Sequence, residues 1–108
     1  MCFDRIFEAA QNSELFLIDG GFCMWHLRLD GQLTIREIIA TQPGAGSRLL
    51  DMLCQVPGAK YLLAKCPAGL RANDWYRKKG FLPMGMETTG AKNRVVVLWL
   101  LPLPRPER

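Results

Sequence analysis

The sequence contains few residues of the kinds that bind metals or cross membranes. It has one histidine, and its four cysteines form no Cys-x-x-Cys pair, so a zinc site is not expected. Its longest strongly apolar run, residues 95–101, is far shorter than the roughly 20 residues that span a bilayer. The N-terminal segment has acidic residues within its apolar pattern and no signal-peptide h-region. Together with isolated cysteines, which favour reduced thiols, these absences predict a cytoplasmic protein without membrane association.

Two familiar phosphate-binding motifs are also missing. A dinucleotide fingerprint needs a third glycine where Leu49 stands, and a Walker loop needs a lysine after Gly46. The chain instead has a strand rich in β-branched residues, a Pro-Gly-Ala-Gly turn at 43–46 and an amphipathic helix. The N–H groups of about Gly44 to Arg48 would lie at the positive end of this helix without intrahelical partners. The segment is therefore either a phosphate site made mainly of backbone or a plain strand-to-helix connection.

The length and the charge distribution narrow the class of protein. A chain of 108 residues, 49% hydrophobic and 22% charged, is expected to form one globular domain. Residues 1–59 contain seven acidic and four basic residues, whereas residues 60–108 contain ten basic and three acidic ones. The basic half suits an anionic partner, which would be a phosphorylated cofactor or a nucleic acid.

Hydrophobic periodicity and turn residues predict an α/β domain over residues 1–101 and a proline-rich tail over 102–108. The expected elements are a helix at 3–11, strands at 15–18, 22–29 and 33–40, a helix after the glycine turn, a strand at 60–65, a helix at 70–79, and a hairpin of 81–88 with 94–101. A helix joins the strands 33–40 and 60–65, so these two should be parallel neighbours. The sheet is therefore expected to be mixed and mainly antiparallel.

Two segments together resemble the GNAT superfamily of N-acetyltransferases. IIATQPGAGSRLLDML is similar to the acetyl-coenzyme A motif of the family, and ANDWYRKKGFLPM is similar to the segment in which Tyr, three residues and Gly-Phe close the cofactor cleft. The resemblance covers about residues 30–101. It implies a central parallel strand pair splayed around a cofactor cleft, acetyl-CoA as the cofactor, no metal, and transfer of an acetyl group to a primary amine by direct attack.

The resemblance also implies which residues would bind the cofactor. The pyrophosphate would lie against the glycine turn, and the pantetheine arm would run along the preceding strand and meet the second helix. The residues implied are Ile38, Ile39, Ala40, Gln42, Gly44, Ala45, Gly46, Ser47, Arg48 and Asn73. Each has a structural alternative: core packing for the strand residues, solvation for Arg48, and hydrogen bonding to the helix start for Asn73.

Two residues are candidates for acid–base chemistry. By resemblance, Tyr76 would protonate the departing thiolate, and the alternative is a helix tyrosine with its hydroxyl at the surface. Glu37 is the candidate general base, because strand alternation places it with Ile35 and Ile39, where apolar neighbours would raise the pKa of its carboxyl. A strand-edge ion pair is the alternative for Glu37. The lone histidine, His26, is more typical of a structural residue.

Most family members have an additional N-terminal strand and two helices that shape the acceptor site. This sequence begins with one predicted helix, so the acceptor site would be open, supplied by another subunit of a homodimer, or absent. A non-catalytic GNAT-fold module that binds a protein partner through its open sheet is therefore a second hypothesis. A small basic nucleic-acid-binding protein is a third, but no nucleic-acid motif is present. The identity of the acceptor amine is left open.

Overall fold

The computed structural model describes residues 14–90 and 94–104, which form six strands and two helices. The elements in chain order are β1 (Leu15–Ile18), β2 (Gly21–Leu27), β3 (Gln32–Ala40), α1 (Ala45–Cys54), β4 (Tyr61–Pro67), α2 (Ala72–Lys78), β5 (Leu82–Thr89) and β6 (Arg94–Pro102). Each corresponds to an element expected from the sequence. The helix predicted at residues 3–11 lies outside the described residues.

All six strands form one sheet in the order β1-β2-β3-β4-β6-β5. Neighbouring strands are antiparallel except for β3 and β4, which are parallel and joined by α1. Asp30-Gly31, a dipeptide typical of hairpin turns, lies between β2 and β3, with Gly31 at a φ of 98° and the Gln32 N–H donating to the Asp30 carboxylate. The prediction of a mixed, mainly antiparallel sheet is confirmed.

The two parallel strands separate after four residue pairs. They pair from Gln32 with Tyr61 to Ile35 with Ala64. Beyond this point the rest of β3 pairs only with β2, and the rest of β4 pairs only with β6. A V-shaped gap therefore opens at the carboxyl ends of β3 and β4, and the predicted splay is confirmed.

A bulge in β3 lies next to this separation. Met24 pairs with Glu37 and Trp25 pairs with Ile35, so Arg36 is an extra residue in β3. A bulge reverses the alternation of side chains beyond it and increases the local twist. The bulge thus determines which side chains at the end of β3 face the gap.

The hydrophobic core lies between one face of the sheet and the two helices. The amphipathic helix α1 presents Leu49, Leu50 and Leu53, all fully buried, to the sheet. The largest fully buried side chain is Trp99 of β6. In the described part of the chain, neither helix is long and apolar enough to cross a membrane.

Two strands extend beyond their predicted ends. β4 includes Cys66 and Pro67, which were expected in a loop, and β6 includes Pro102, which pairs with Tyr61. The next N–H, of Leu103, donates to the carbonyl of Lys60 at 3.0 Å, and its side chain packs against the core. A proline is tolerated at the end of a strand, so the first prolines of the C-terminal segment do not stop the pairing at residue 101.

Candidate functional site

A pocket of about 170 Å³ lies where β3 and β4 separate. The end of β3, the first turn of α1 and the inner face of α2 surround it. Its lining residues are Ile38, Ala40, Gly46, Ala72, Trp75 and Tyr76. A mainly apolar lining with one phenolic hydroxyl is typical of a site that holds the apolar arm of a ligand. The pocket thus brings Gly46 of the glycine turn together with Tyr76 of the Tyr-x3-Gly-Phe segment, although 30 positions separate them in the sequence.

The first turn of α1 offers free backbone donors beside the pocket. Gly44 precedes the helix in the left-handed region, with a φ of 84°, and no side chain caps the helix. The N–H groups of Ala45 and Arg48 already donate to carbonyls of the turn, at 3.2 and 3.1 Å. The N–H groups for which the described residues provide no acceptor are those of Gly44, Gly46 and Ser47. Three backbone N–H groups are therefore free among the described residues, whereas the sequence predicted about five.

The turn between β1 and β2 supports the glycine turn from the side. The N–H and the hydroxyl of Thr41 both donate to the Gly20 carbonyl, at 2.6 and 3.1 Å. A Cβ atom on Gly20 would lie 2.7 Å from the Cβ of Gln42, so the Gln42 side chain rests on this glycine. The Arg48 guanidinium donates to the Asp19 carbonyl at 3.1 Å. The two side chains predicted to reach a phosphate, Gln42 and Arg48, thus both contact this turn.

Three aromatic rings hold the ring of Tyr76, which is 6% exposed. Phe81 and Trp75 meet it edge-on, with ring centroids 5.1 and 5.2 Å away. Trp99 stacks on it with a centroid distance of 6.2 Å and an interplanar angle of 19°. Tyr76 is therefore a buried residue that lines the pocket.

Burial also sets the protonation state of the Tyr76 hydroxyl. Desolvation, with smaller contributions from the thiols of Cys66 and Cys23, raises the pKa of Tyr76 far above its usual value. Burial likewise raises the pKa of Cys23 to about 12 and that of Cys66 above its usual value. All three groups keep their protons at neutral pH. Tyr76 therefore presents a neutral hydroxyl, which can donate a hydrogen bond or a proton.

Asn73 lies behind Tyr76 and is bonded on both sides of its amide. Its Nδ2 donates to the carbonyls of Pro67 and Leu70, each at 3.0 Å, and its Oδ1 accepts from Nε1 of Trp99 at 2.9 Å. These bonds correspond to the structural alternative for Asn73, because they tie the start of α2 to β4 and β6. Binding of a pantetheine amide by Asn73 stays a prediction.

The bulge at Arg36 changes the expected faces of β3. Ile38, not Ile39, shares the core face with Ile35 and lines the pocket. Ile39 is 38% exposed, and its side chain lies on the opposite face of the sheet with that of Glu37. The alternation assumed from the sequence placed Glu37 and Ile35 on one face, which is wrong because it could not include the extra residue. Glu37 is half-buried beside the gap between the strands.

Sequence reasoning gave no cofactor role to two lining residues, Ala72 and Trp75. A Cβ on Gly46 would lie 3.2 Å from Cζ2 of Trp75, so the missing side chain at position 46 lets α2 approach α1 closely. One turn along α2, the ammonium of Lys79 donates to the Ser47 hydroxyl at 2.5 Å. The positions 72, 75 and 79 have helical spacing, and this signal could have identified one face of α2 directed at α1.

The lone histidine lies away from this pocket. Nδ1 of His26 contacts the carboxylate of Glu14, and His26 is opposite Thr34 near the beginning of β3, at the other end of the strand from the gap. This contact agrees with the structural role expected for His26. Within residues 14–90 and 94–104, no cluster of three or more His, Cys, Asp or Glu side chains is arranged to hold a metal.

Comparison with known proteins identifies the fold through structure alone. No protein-family model matches the sequence, and no curated protein has a significantly similar sequence. Among solved structures, a GNAT-family acetyltransferase from Bacillus cereus ATCC 10987 is similar with a TM-score of 0.80 and 12% identity, over 94% of this chain and 79% of that one. The ribosomal-protein-S18-alanine N-acetyltransferase of Escherichia coli is similar with a TM-score of 0.70 and 17% identity, over 99% of this chain and 81% of that one.

A third similar structure was solved with acetyl-coenzyme A. It is a protein of Bacillus anthracis str. Ames assigned as a streptothricin acetyltransferase, with a TM-score of 0.69 and 19% identity over 78% of this chain. This chain spans 56% of the length of that protein. The three comparisons show that the chain has the fold of the GNAT acetyltransferases. The fold expected from the resemblance of the two sequence segments is thereby confirmed.

Proposed function

We propose that this protein binds acetyl-CoA and transfers its acetyl group to a primary amine. The observation that carries the proposal is the placement of the pocket, which lies between splayed parallel strands and directly beside the free N–H groups of α1. A pyrophosphate suits three backbone donors at the positive end of a helix. A pantetheine arm suits the unpaired inner edge of β3, because its amides can hydrogen-bond to strand backbone as an added strand would.

Each residue of the site would have a defined task. Gly44, Gly46 and Ser47 would hold the pyrophosphate through their N–H groups, and Ile38 and Ala40 would contact the arm. Bound acetyl-CoA would supply a thioester whose carbonyl carbon the amine attacks, so that a C–N bond forms and the C–S bond breaks. The remaining steps are transfers of protons, for which Tyr76 of the pocket lining and Glu37 of the neighbouring strand β3 are the candidates.

Tyr76 would donate its proton, or a hydrogen bond, to the sulfur that leaves. Its raised pKa keeps the hydroxyl protonated at neutral pH, and no hydrogen bond to another described residue competes for it. Glu37, on β3 beside the gap, would accept the proton that the attacking ammonium must lose. The protonated tyrosine and the carboxylate thus have complementary roles.

The experiment that tests this proposal measures thiol release from acetyl-CoA over a panel of small amines and peptides. We expect amine-dependent release by the wild-type protein and a kcat roughly 100-fold lower for Tyr76→Phe, the low end of the usual contribution of a general acid. Tyr61→Phe is the matched control, because Tyr61 bonds to Gln32 at the far end of the sheet and should keep full activity. Equal rates for Tyr76→Phe and wild type would contradict the role of Tyr76.

A second candidate function is a module that binds acetyl-CoA or a protein partner without catalysis. The edge strand β5 favours it, because Leu82, Met84 and Met86 are 52%, 58% and 68% exposed on a strand with one unpaired side. Binding of acetyl-CoA without thiol release for any amine would favour this module over the enzyme.

A further inference from the structure

Lys79 is a partly buried cation with a neutral partner. It follows the last residue of α2, and its ammonium donates to the Ser47 hydroxyl across the space between α2 and α1. None of the ion pairs formed by residues 14–90 and 94–104 includes Lys79. A cation in a partly desolvated place is stabilised by an anion much more than by a hydroxyl.

The backbone around this ammonium adds further positive partial charge. Ser47 lies in the first turn of α1, at the positive end of the helix, and α1 has no acidic residue in that turn. The N–H groups of Gly44, Gly46 and Ser47 are unpaired among the described residues. The Lys79 ammonium thus lies beside the positive end of α1, and no ion pair among residues 14–90 and 94–104 offsets its charge.

The geometry points to Lys79 as the side chain that neutralises the pyrophosphate of the bound cofactor, an inference that rests on the proposed function. The family resemblance implied Arg48 as a cofactor contact, but the Arg48 guanidinium is bonded to the Asp19 carbonyl. Lys79 reaches the same turn of α1 from α2. When the anion binds, the ammonium exchanges a neutral hydroxyl for a charged diphosphate oxygen and offsets part of the negative charge of the diphosphate.

The test compares Lys79→Met with Lys78→Met, which removes the same charge from the exposed neighbour. Isothermal titration of acetyl-CoA at low salt should show the Kd raised about 10-fold or more by Lys79→Met, since hydrogen bonds to charged groups contribute about 1.5–3 kcal/mol. Lys78→Met should change the Kd less than about 3-fold. Lys79→Arg retains the charge and should restore most of the affinity, whereas Lys79→Gln, which retains only a hydrogen-bonding group toward Ser47, should not.

Two cofactor analogues identify the group that Lys79 contacts. Acetyl-3′-dephospho-CoA retains the pyrophosphate, so Lys79→Met should weaken its binding by the same factor as for acetyl-CoA. S-acetylpantetheine lacks the pyrophosphate, so the variant should bind it as the wild type does. Loss of the Lys79 effect with the dephospho analogue would overturn the inference and indicate the 3′-phosphate instead.

The outcomes separate this inference from the proposed function. If the wild type binds acetyl-CoA and Lys79→Met binds it equally well, the role of Lys79 is overturned and the proposed function is unaffected. If the folded wild type does not bind acetyl-CoA, both are overturned. Should Lys79→Met fail to fold, as judged by circular dichroism, Lys79→Gln retains a hydrogen-bonding group toward Ser47 without the charge and replaces it in the comparison.

Discussion

Tyr76 shows how surroundings determine the chemistry of one residue. A tyrosine on a helix usually buries its ring and exposes its hydroxyl to water. Here three aromatic rings enclose the side chain and the hydroxyl borders an apolar pocket, so its pKa is raised far above the usual value. The hydroxyl therefore stays neutral at neutral pH, which is the state that the proposed role of Tyr76 as a general acid requires.

Because burial raises the pKa of Tyr76, its hydroxyl should lose its proton only at unusually high pH. The chain has two tyrosines, so the Tyr61→Phe variant contains Tyr76 alone. We expect no tyrosinate absorbance at 295 nm from the folded variant at pH 10, near the ordinary pKa of tyrosine of about 10. A titration with a midpoint at about pH 10 while the near-ultraviolet circular dichroism stays native would show that the hydroxyl is not desolvated.

The same shift has a consequence for stability. The pKa of Tyr76 is raised by folding, so the folded state holds this proton more tightly than the unfolded state does. The stabilisation is fully present below the unfolded pKa of about 10 and is lost as the pH rises through the higher folded value. Chemical denaturation at increasing pH should therefore show a falling free energy of unfolding in the alkaline range, with a smaller decline for Tyr76→Phe.

At the scale of elements, the start of α2 is attached to the sheet through one amide. Asn73 accepts a hydrogen bond from Trp99 of β6 and donates two to carbonyls that lie before α2. Trp99 in turn stacks on Tyr76. The Arg77 guanidinium lies 5.6 Å from the centre of the Trp99 ring. The Asn73–Trp99 bond thus fixes the helix that carries the tyrosine.

We predict that this bond is energetically coupled to the stability of the domain. Asn73→Leu leaves Nε1 of Trp99 without its acceptor and removes one of the donors to the carbonyls of Pro67 and Leu70, which costs about 1–3 kcal/mol and lowers the Tm by roughly 5 °C or more. Trp99→Phe removes the donor from the same pair. Thermal unfolding of both single variants and the double variant forms a cycle, in which strictly additive effects would contradict the coupling.

Some features of the helices and strands can be predicted from the sequence, and others cannot. Turn residues such as Asp30-Gly31 and the spacing of Leu49, Leu50 and Leu53 predict hairpins and an amphipathic helix, because local chemistry determines both. The bulge at Arg36 depends on pairing with another strand, so alternation along β3 could not reveal it. Because of this bulge, Ile38 and Ala40 line the pocket, whereas the side chain of Ile39 lies on the opposite face of the sheet.

At the scale of the whole molecule, the candidate site is a product of topology. The glycine turn and the Tyr76 segment lie far apart in the chain, and the parallel crossover brings both to the gap between β3 and β4. The two motifs allowed the cleft to be predicted. The bonds of Arg48 to Asp19 and of Lys79 to Ser47 could not be predicted, because they join segments whose distance only the folded chain defines.

At the scale of the whole molecule, the form of the acceptor site and the oligomeric state stay predictions. A homodimer was one of the ways in which the acceptor site could be completed, and the exposed apolar residues of β5 are compatible with contact to a partner. The non-catalytic module would bind a partner through its open sheet, and the enzyme would need a site for its amine substrate. Both hypotheses therefore depend on this side of the molecule. The proposed binding of acetyl-CoA, in contrast, involves the gap, α1 and α2.

Isothermal titration of acetyl-CoA into the wild-type protein tests the central claim, which is that this gap is a cofactor site. We predict saturable binding of one acetyl-CoA per chain and loss of that binding in Gly46→Glu, whose side chain would enter the space beside Trp75 and repel the phosphates. Thr88→Glu, which adds the same charge to the exposed edge of β5, should bind as the wild type does. Circular dichroism verifies that each variant is folded, and absence of binding by the folded wild type would contradict the account.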